Sequence, residues 1–246
     1  MLRQSPRGVS VFAGTAISDE LRTFLKSHGA DAVGFADLQD IAPDIRDNFP
    51  FGISIAVALN PQIVSGIKDG PTKQYHAEYE RVNHLLNSLG HHAVQFLEKQ
   101  GFKAGWFAAT DAGIDPETLS TRLPHKTVAT RAGLGWIGKC ALLVTETFGS
   151  AIRITSVLTE ANLPAGDAID TSQCGDCRAC VDVCPAHASS GRDWQVNLRR
   201  DSFFDAFACR KAAHEMEMRN IGTEVNICGM CIAACPWTQR YIKKAG

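Results

Sequence analysis

No apolar run in this chain approaches the ~20 residues that a membrane-spanning helix needs. Neither sign of charge dominates: 25 Lys and Arg stand against 26 Asp and Glu, a formal net charge of -1. That balance excludes the broadly basic footprint of a general nucleic-acid binder. There is no low-complexity tract. The segment from Met1 to Ile17 lacks an unbroken apolar core, being interrupted by Gly8, Ser10 and Gly14. It therefore does not read as a secretory signal, and the expectation is a cytoplasmic chain with reduced thiols. Cysteine is almost missing from the first two thirds, where Cys140 stands alone. What remains is ordinary globular material: 246 residues, 45% of them hydrophobic, enough for one large domain or two modest ones.

The other eight of the nine cysteines crowd the last third. Four read Cys174-x2-Cys177-x2-Cys180-x3-Cys184 followed by Pro185, and three read Cys228-x2-Cys231-x3-Cys235 followed by Pro236. The first run has the spacing of bacterial two-cluster ferredoxins, in which three thiolates hold one [4Fe–4S] cube and the fourth reaches to the other. A symmetric second run would place a thiolate three residues before Cys228, but Val225 stands there. The count closes if Cys174, Cys177, Cys180 and Cys235 hold one cube, and Cys184, Cys228, Cys231 and the intervening Cys209 hold the second. Cys140 is left over. Structural zinc uses paired C-x2-C arms, four ligands to a metal, and a disulfide framework needs an oxidising compartment. Neither suits this pattern.

Upstream, Ser18 to Ser27 reads as a helix capped by Ser18, with Leu21, Phe24 and Leu25 on one face and Gly29 as its stop. Strands are expected over Ala32–Phe35, Gly52–Leu59 and Phe102–Ala109. Tyr75 to Gln100 carries apolar residues at helical spacing, with Gly90 as a candidate kink. Ala141–Thr145 and Ile152–Leu158 read as neighbouring strands joined across Gly149 and Ser150. Residues 1–160 then form an α/β (α+β) domain, 161–173 a linker, and 174–246 a cluster module held together largely by metal ligation.

The string Gly133-Leu134-Gly135-Trp136-Ile137-Gly138-Lys139 satisfies G-x-G-x-x-G and nearly a P-loop. Both need a strand before and a helix after, so that a helix N-terminus faces the phosphate. Here the order is reversed, and Cys140 replaces the Ser or Thr that would hold Mg²⁺. Three glycines in six residues mark either a tight corner or a backbone pressed against a flat cofactor.

Together, the stretch from His125 to Lys139, the later Ser156-Val157-Leu158-Thr159 and the two cysteine runs resemble the epoxyqueuosine reductase family, which is related to the corrinoid reductive dehalogenases. The resemblance is strongest from His125 to Trp237. It implies a nitroreductase-like cobalamin-binding domain followed by a ferredoxin-like module with two [4Fe–4S] clusters. It also implies a cobalamin near one cube, cycled to Co(I) as the reductant. Gly133, Gly135, Trp136, Gly138 and Lys139 would then lie against the corrin. The pattern departs from the family in three ways. The family's acidic segment is replaced by Leu119-Ser120-Thr121-Arg122-Leu123-Pro124, with Asp111, Asp115 and Glu117 only loosely nearby. Cys140 stands where Asn or His is usual. The chain stops at Gly246, before the family's tRNA-binding extension, so tRNA is not the expected partner.

His125, Lys126 and Cys140 are the candidate catalytic residues, with a polar helix face and a buried small side chain as the plainer alternatives. His76, His84, His91 and His92 read as packed or solvated. Arg199, Arg200, Arg210 and Lys211 make the cluster module locally basic, a docking face for reduced ferredoxin or flavodoxin or simply a solvated surface. The expected function is a cytoplasmic oxidoreductase passing electrons through two cubes to a corrinoid that reduces a small-molecule or protein-bound substrate. The alternative is a non-catalytic electron carrier, or an activator serving another metal or corrinoid protein. The large N-terminal domain weighs against a simple carrier.

Overall fold

The computed structural model describes residues 11–110 and 113–245. Four antiparallel strands form the central sheet, in the order β1 (Ala32–Asp37), β2 (Phe51–Ala58), β6 (Ile152–Thr159) and β3 (Ala104–Phe107). Alternation divides its residues between two faces. Val33, Phe35, Ile53, Ile55, Val57 and Val157 join the main core, beneath α1 (Val11–Ser27) and α3 (Lys73–Lys99). Ala36 and Leu158 point the other way, onto Val128 and Ala132 at α4 (His125–Arg131). Because both faces are covered, β2 is an almost continuous apolar run.

Three helix expectations change in detail. The first helix begins by Val11, so Ser18 is not its cap. Ser18 is buried inside the helix, and its hydroxyl donates to the Thr15 carbonyl at 2.8 Å. Gly29 does end it, at φ +104°, with the Ala30 N–H donating to the Leu25 carbonyl. α3 starts from a Thr72 cap and runs unbroken through Gly90. A side chain at Gly90 would fall 1.9 Å from Trp106 Cδ1, so glycine lets β3 lie close to the helix. A short α2 (Pro61–Ser65) is capped by Asn60, which accepts from the Gln62 and Ile63 N–H groups.

The strand over 141–145 pairs elsewhere than expected. β4 (Trp136–Ile137) and β5 (Leu143–Val144) form a separate two-stranded hairpin, so Leu143–Val144 is not a neighbour of β6. The connecting loop, Gly138 to Leu142, closes through Gly138 N–H to Leu142 carbonyl at 2.9 Å.

The 161–173 segment is packed down rather than a free tether. Ala161 and Leu163 are buried in the main core, the Gly166 N–H donates to the Phe35 carbonyl, and the Ile169 N–H to Thr130. Beyond it come α5 (Ala179–Asp182), a 3-10 turn at Arg200–Ser202, α6 (Ala206–Asn220), α7 (Met230–Ala234) and α8 (Pro236–Ala245). This half is not a separate body. Ile227 and Ala233 belong to the same core as the sheet, and the Tyr241 hydroxyl donates to the Leu59 carbonyl at 3.0 Å. Val225, where a thiolate is missing, packs against that core.

Candidate functional site

Each cysteine run contains a short helix, and α5 and α7 pack against each other. All nine cysteines are free thiols. Two cavities lie among them. One, of about 270 Å³, is lined by Cys174, Cys177, Cys180 and Cys235, with Lys139 and Trp237 beside them. The other, of about 80 Å³, is lined by Cys140, Cys180, Cys184, Cys209, Cys228 and Cys231. Cys140 and Cys180 line both cavities, so the lining by itself does not divide the thiols into two sets of four. Asp205 caps α6 by accepting from the Ala208 N–H, and that start places Cys209 on the second cavity.

A third cavity of about 570 Å³ lies between the sheet, α4 and the 3-10 turn. The β4–β5 loop touches all three. Lys139 lines the first, Cys140 the first and second, and Leu142 the second and third. The three spaces are therefore adjacent in series, separated by the thickness of single residues. The loop takes this shape through Ala141, which sits at φ +58° and whose carbonyl accepts from Lys126 Nζ at 2.7 Å.

Charge in the large cavity is mostly positive. Lys126, Arg153, Arg199 and Arg200 line it, with Asp201 as the carboxylate among its described lining residues. Burial, helped by the Arg200 charge, pulls the Lys126 ammonium down to about 8, against a smaller upward pull from Cys140. Arg153 is held by Asn83 and Thr110 and lies over the Tyr79 ring. Arg200 donates to the Leu119 and Thr118 carbonyls. His125 places Nε2 2.9 Å from the Ala108 carbonyl and Nδ1 3.0 Å from Ser156 Oγ. A carbonyl only accepts, so Nε2 carries a proton. Tyr75, from the first turn of α3, also lines the cavity, and burial pushes its phenol well up.

Sequence reasoning missed Tyr75, Arg153, Asp201 and Leu142 as cavity residues. Only the folded sheet and loop bring them together, and none belongs to a motif. The acid-free segment does reach the site: Leu119, Ser120, Thr121 and Pro124 line it. Asp115 and Glu117 do not. They are exposed, and Asp115 accepts from the Glu117 N–H and the Thr118 hydroxyl. Asp111 lies outside the described residues.

The glycine string is closely packed against neighbouring backbone. Added side chains at Gly133 and Gly135 would strike the backbone oxygens of Asp167 at 2.7 Å and Val144 at 2.1 Å. Trp136 is buried edge-on against Trp237, 5.3 Å between ring centres. None of the three lines the large cavity. Gly138 and Lys139 face the first thiol cavity, where Lys139 Nζ donates to the Gly175 carbonyl at 2.6 Å and pins the first cysteine loop. The string is a corner that delivers Cys140 and Leu142 between the cavities. Cys140 does not line the large cavity. Of the four helix histidines, His76 is bonded to Glu217 at 2.7 Å, while His91 packs on Trp106 and His92 on Phe24.

Residues 173–238 match the 4Fe-4S double cluster binding domain. The epoxyqueuosine reductase of Synechococcus sp. (strain CC9605) is 32% identical over 197 residues, covering 78% of this chain and 57% of the relative. This chain is a homologue of the epoxyqueuosine reductases. It spans 33% to 64% of the length of the curated relatives it matches in Pseudomonas aeruginosa, Synechococcus and Atelocyanobacterium thalassa. A solved epoxyqueuosine reductase shares its fold with a TM-score of 0.64 at 19% identity, over 94% of this chain and 67% of that one. A catabolic reductive dehalogenase solved with 3-bromo-4-hydroxybenzoic acid does so with a TM-score of 0.71 at 15% identity, over 95% and 33%. The mixed α/β fold is therefore common to both groups.

Proposed function

We propose that this chain is an iron–sulfur oxidoreductase of the epoxyqueuosine reductase type, with Cys174, Cys177, Cys180 and Cys235 holding one [4Fe–4S] cube and Cys184, Cys209, Cys228 and Cys231 the other. The carrying observation is the series of three adjacent cavities, two of them lined by cysteines drawn from both runs. Four thiols of each would supply the donor set of a cube. Bound cubes would supply one-electron transfer, for which reduced ferredoxin or flavodoxin is the fitting class of donor. Cytoplasmic thiol chemistry suits this reading, and no described helix is long and apolar enough to cross a membrane.

The large cavity is the proposed seat of a corrinoid and its substrate, in a domain of the nitroreductase-like kind. A reductive dehalogenase of similar fold is described as B12-dependent. Apolar Ala141, Leu142, Leu143, Ile152 and Ile154 suit the face of a macrocycle, and Ser150, Arg153 and Arg200 offer donors to polar edges. A bound corrinoid would supply a strongly reducing, nucleophilic cobalt. The chain's own residues then do the rest. Leu142 closes the wall toward the second thiol cavity and keeps water out. Lys126 holds a proton at Nζ beside the cavity, in place of the acid missing from Leu119–Pro124. Calorimetry of cobalamin added to the anaerobically reconstituted chain tests this. Stoichiometric uptake supports it, and no uptake leaves the electron carrier or activator reading. A second substrate reading rests on an epoxyqueuosine reductase of the same fold solved with a modified tRNA stem loop. Binding of such a stem loop to this chain would favour it over a small molecule.

A further inference from the structure

α8 begins at Pro236, directly after Cys235 of the first proposed ligand set. Burial of Thr238 and the packing of Tyr241 and Ile242 on the main core fix its inner face. Pro236, Arg240, Lys243 and Lys244 are left exposed on the other side, at i, i+4, i+7 and i+8. The Arg240 guanidinium lies 4.4 Å over the Trp237 ring, and both residues line the first thiol cavity. α8 contains no Asp or Glu, and among the described residues none of its three cations is in an ion pair. The cavity lining adds Lys139 and, among the described residues, no carboxylate.

This rim is the far end of the series. The first thiol cavity shares Cys140 and Cys180 with the second, and no lining residue with the large cavity. An electron supplied here has both thiol sets before it on the way to the large cavity. We propose that Arg240, Lys243 and Lys244, beside Trp237, form the docking face for a small acidic one-electron carrier protein that reduces the first cube. This rests on the two-cube reading above. The carrier's reduced centre loses one electron, the cube gains it, and no bond is made or broken. The other basic residues of the cluster half suit this role less well. Arg199 and Arg200 line the large cavity, and Arg210 and Lys211 share α6 with Glu215 and Glu217 and their surface hollow with Glu224. Clustered cations free of acids speed the encounter with an acidic partner, and salt screens the effect.

The test is stopped-flow reduction of the anaerobically reconstituted full chain by a reduced plant-type ferredoxin, an acidic carrier. Photoreduced deazaflavin serves as the small reductant, and iron and sulfide are counted on the same samples. The wild-type rate with ferredoxin should fall steeply with salt. Lys243→Glu/Lys244→Glu should lower it about tenfold or more at low salt, with iron content and the deazaflavin rate unchanged. Arg210→Glu/Lys211→Glu should stay near the wild type. An unchanged ferredoxin rate in the α8 variant would overturn the inference, as would an equal loss in the α6 variant or with deazaflavin. A tRNA stem loop held by the wild type and lost by the α8 variant, with the ferredoxin rate unmoved, would overturn it in favour of RNA. A wild type without two cubes would overturn the reading beneath it, and this inference with it.

Discussion

Lys126 makes two opposite demands on pH. As a proton donor it must carry its proton, so single-turnover reduction should fall as pH rises through about 8. Stability should move the other way. The folded-state value lies below the ordinary 10.5, so between about 8 and 10.5 the unfolded chain binds the proton more tightly. This group's contribution to stability therefore rises with pH across that window. Lys126→Met should remove the pH 8 limb and slow reduction by about a hundredfold or more. A variant with wild-type rate and pH profile would return Lys126 to the single job of clamping Ala141. The sequence marked Lys126 as a candidate catalytic residue beside His125, but not what holds it. Its carbonyl partner sits fifteen residues on, in the loop of a hairpin whose closure no local pattern announces.

At the level of elements, two glycines give distinct expectations. Gly90→Ala places a methyl against Trp106 on rigid backbone and should cost about 1–3 kcal/mol, read as a Tm lower by ~2–4 °C per kcal/mol. A shift of zero would mean that β3 gives way. Gly135→Leu should strike the Val144 carbonyl and open the β4–β5 hairpin. Iron should then be lost along with stability, because that hairpin carries Lys139 and Cys140. Retained iron with loss of cobalamin uptake alone would instead put the glycines against the corrin. The helical periodicity of α3 and the β-rich run at β2 were readable because burial follows a simple spacing there. The pairing of Leu143–Val144 was not, since a two-residue strand has no period and its partner is decided by the turn between. Ser18 misled for a related reason: a serine inside a helix looks like a cap until the preceding turn is seen.

Over the whole molecule, the cysteine spacing marked the residues that gather around two cavities, because ligand runs are local. It could not forecast that the cluster half shares a core with the sheet. Ile227, Ala233 and Tyr241 lie in a polar-looking, cysteine-rich sequence, and their burial is against residues far upstream. A fragment of 161–246 should accordingly expose these side chains and fail to give a cooperative thermal transition, even with iron and sulfide supplied. A sharp transition would restore the picture of two independent domains. The central claim is that eight of the nine cysteines hold two cubes in line with the large cavity. Its most direct test is iron and acid-labile sulfide per anaerobically reconstituted chain, compared with Cys209→Ala. The account predicts about eight of each in the wild type and about four in the variant. Full iron in Cys209→Ala, or about four in the wild type, would contradict it.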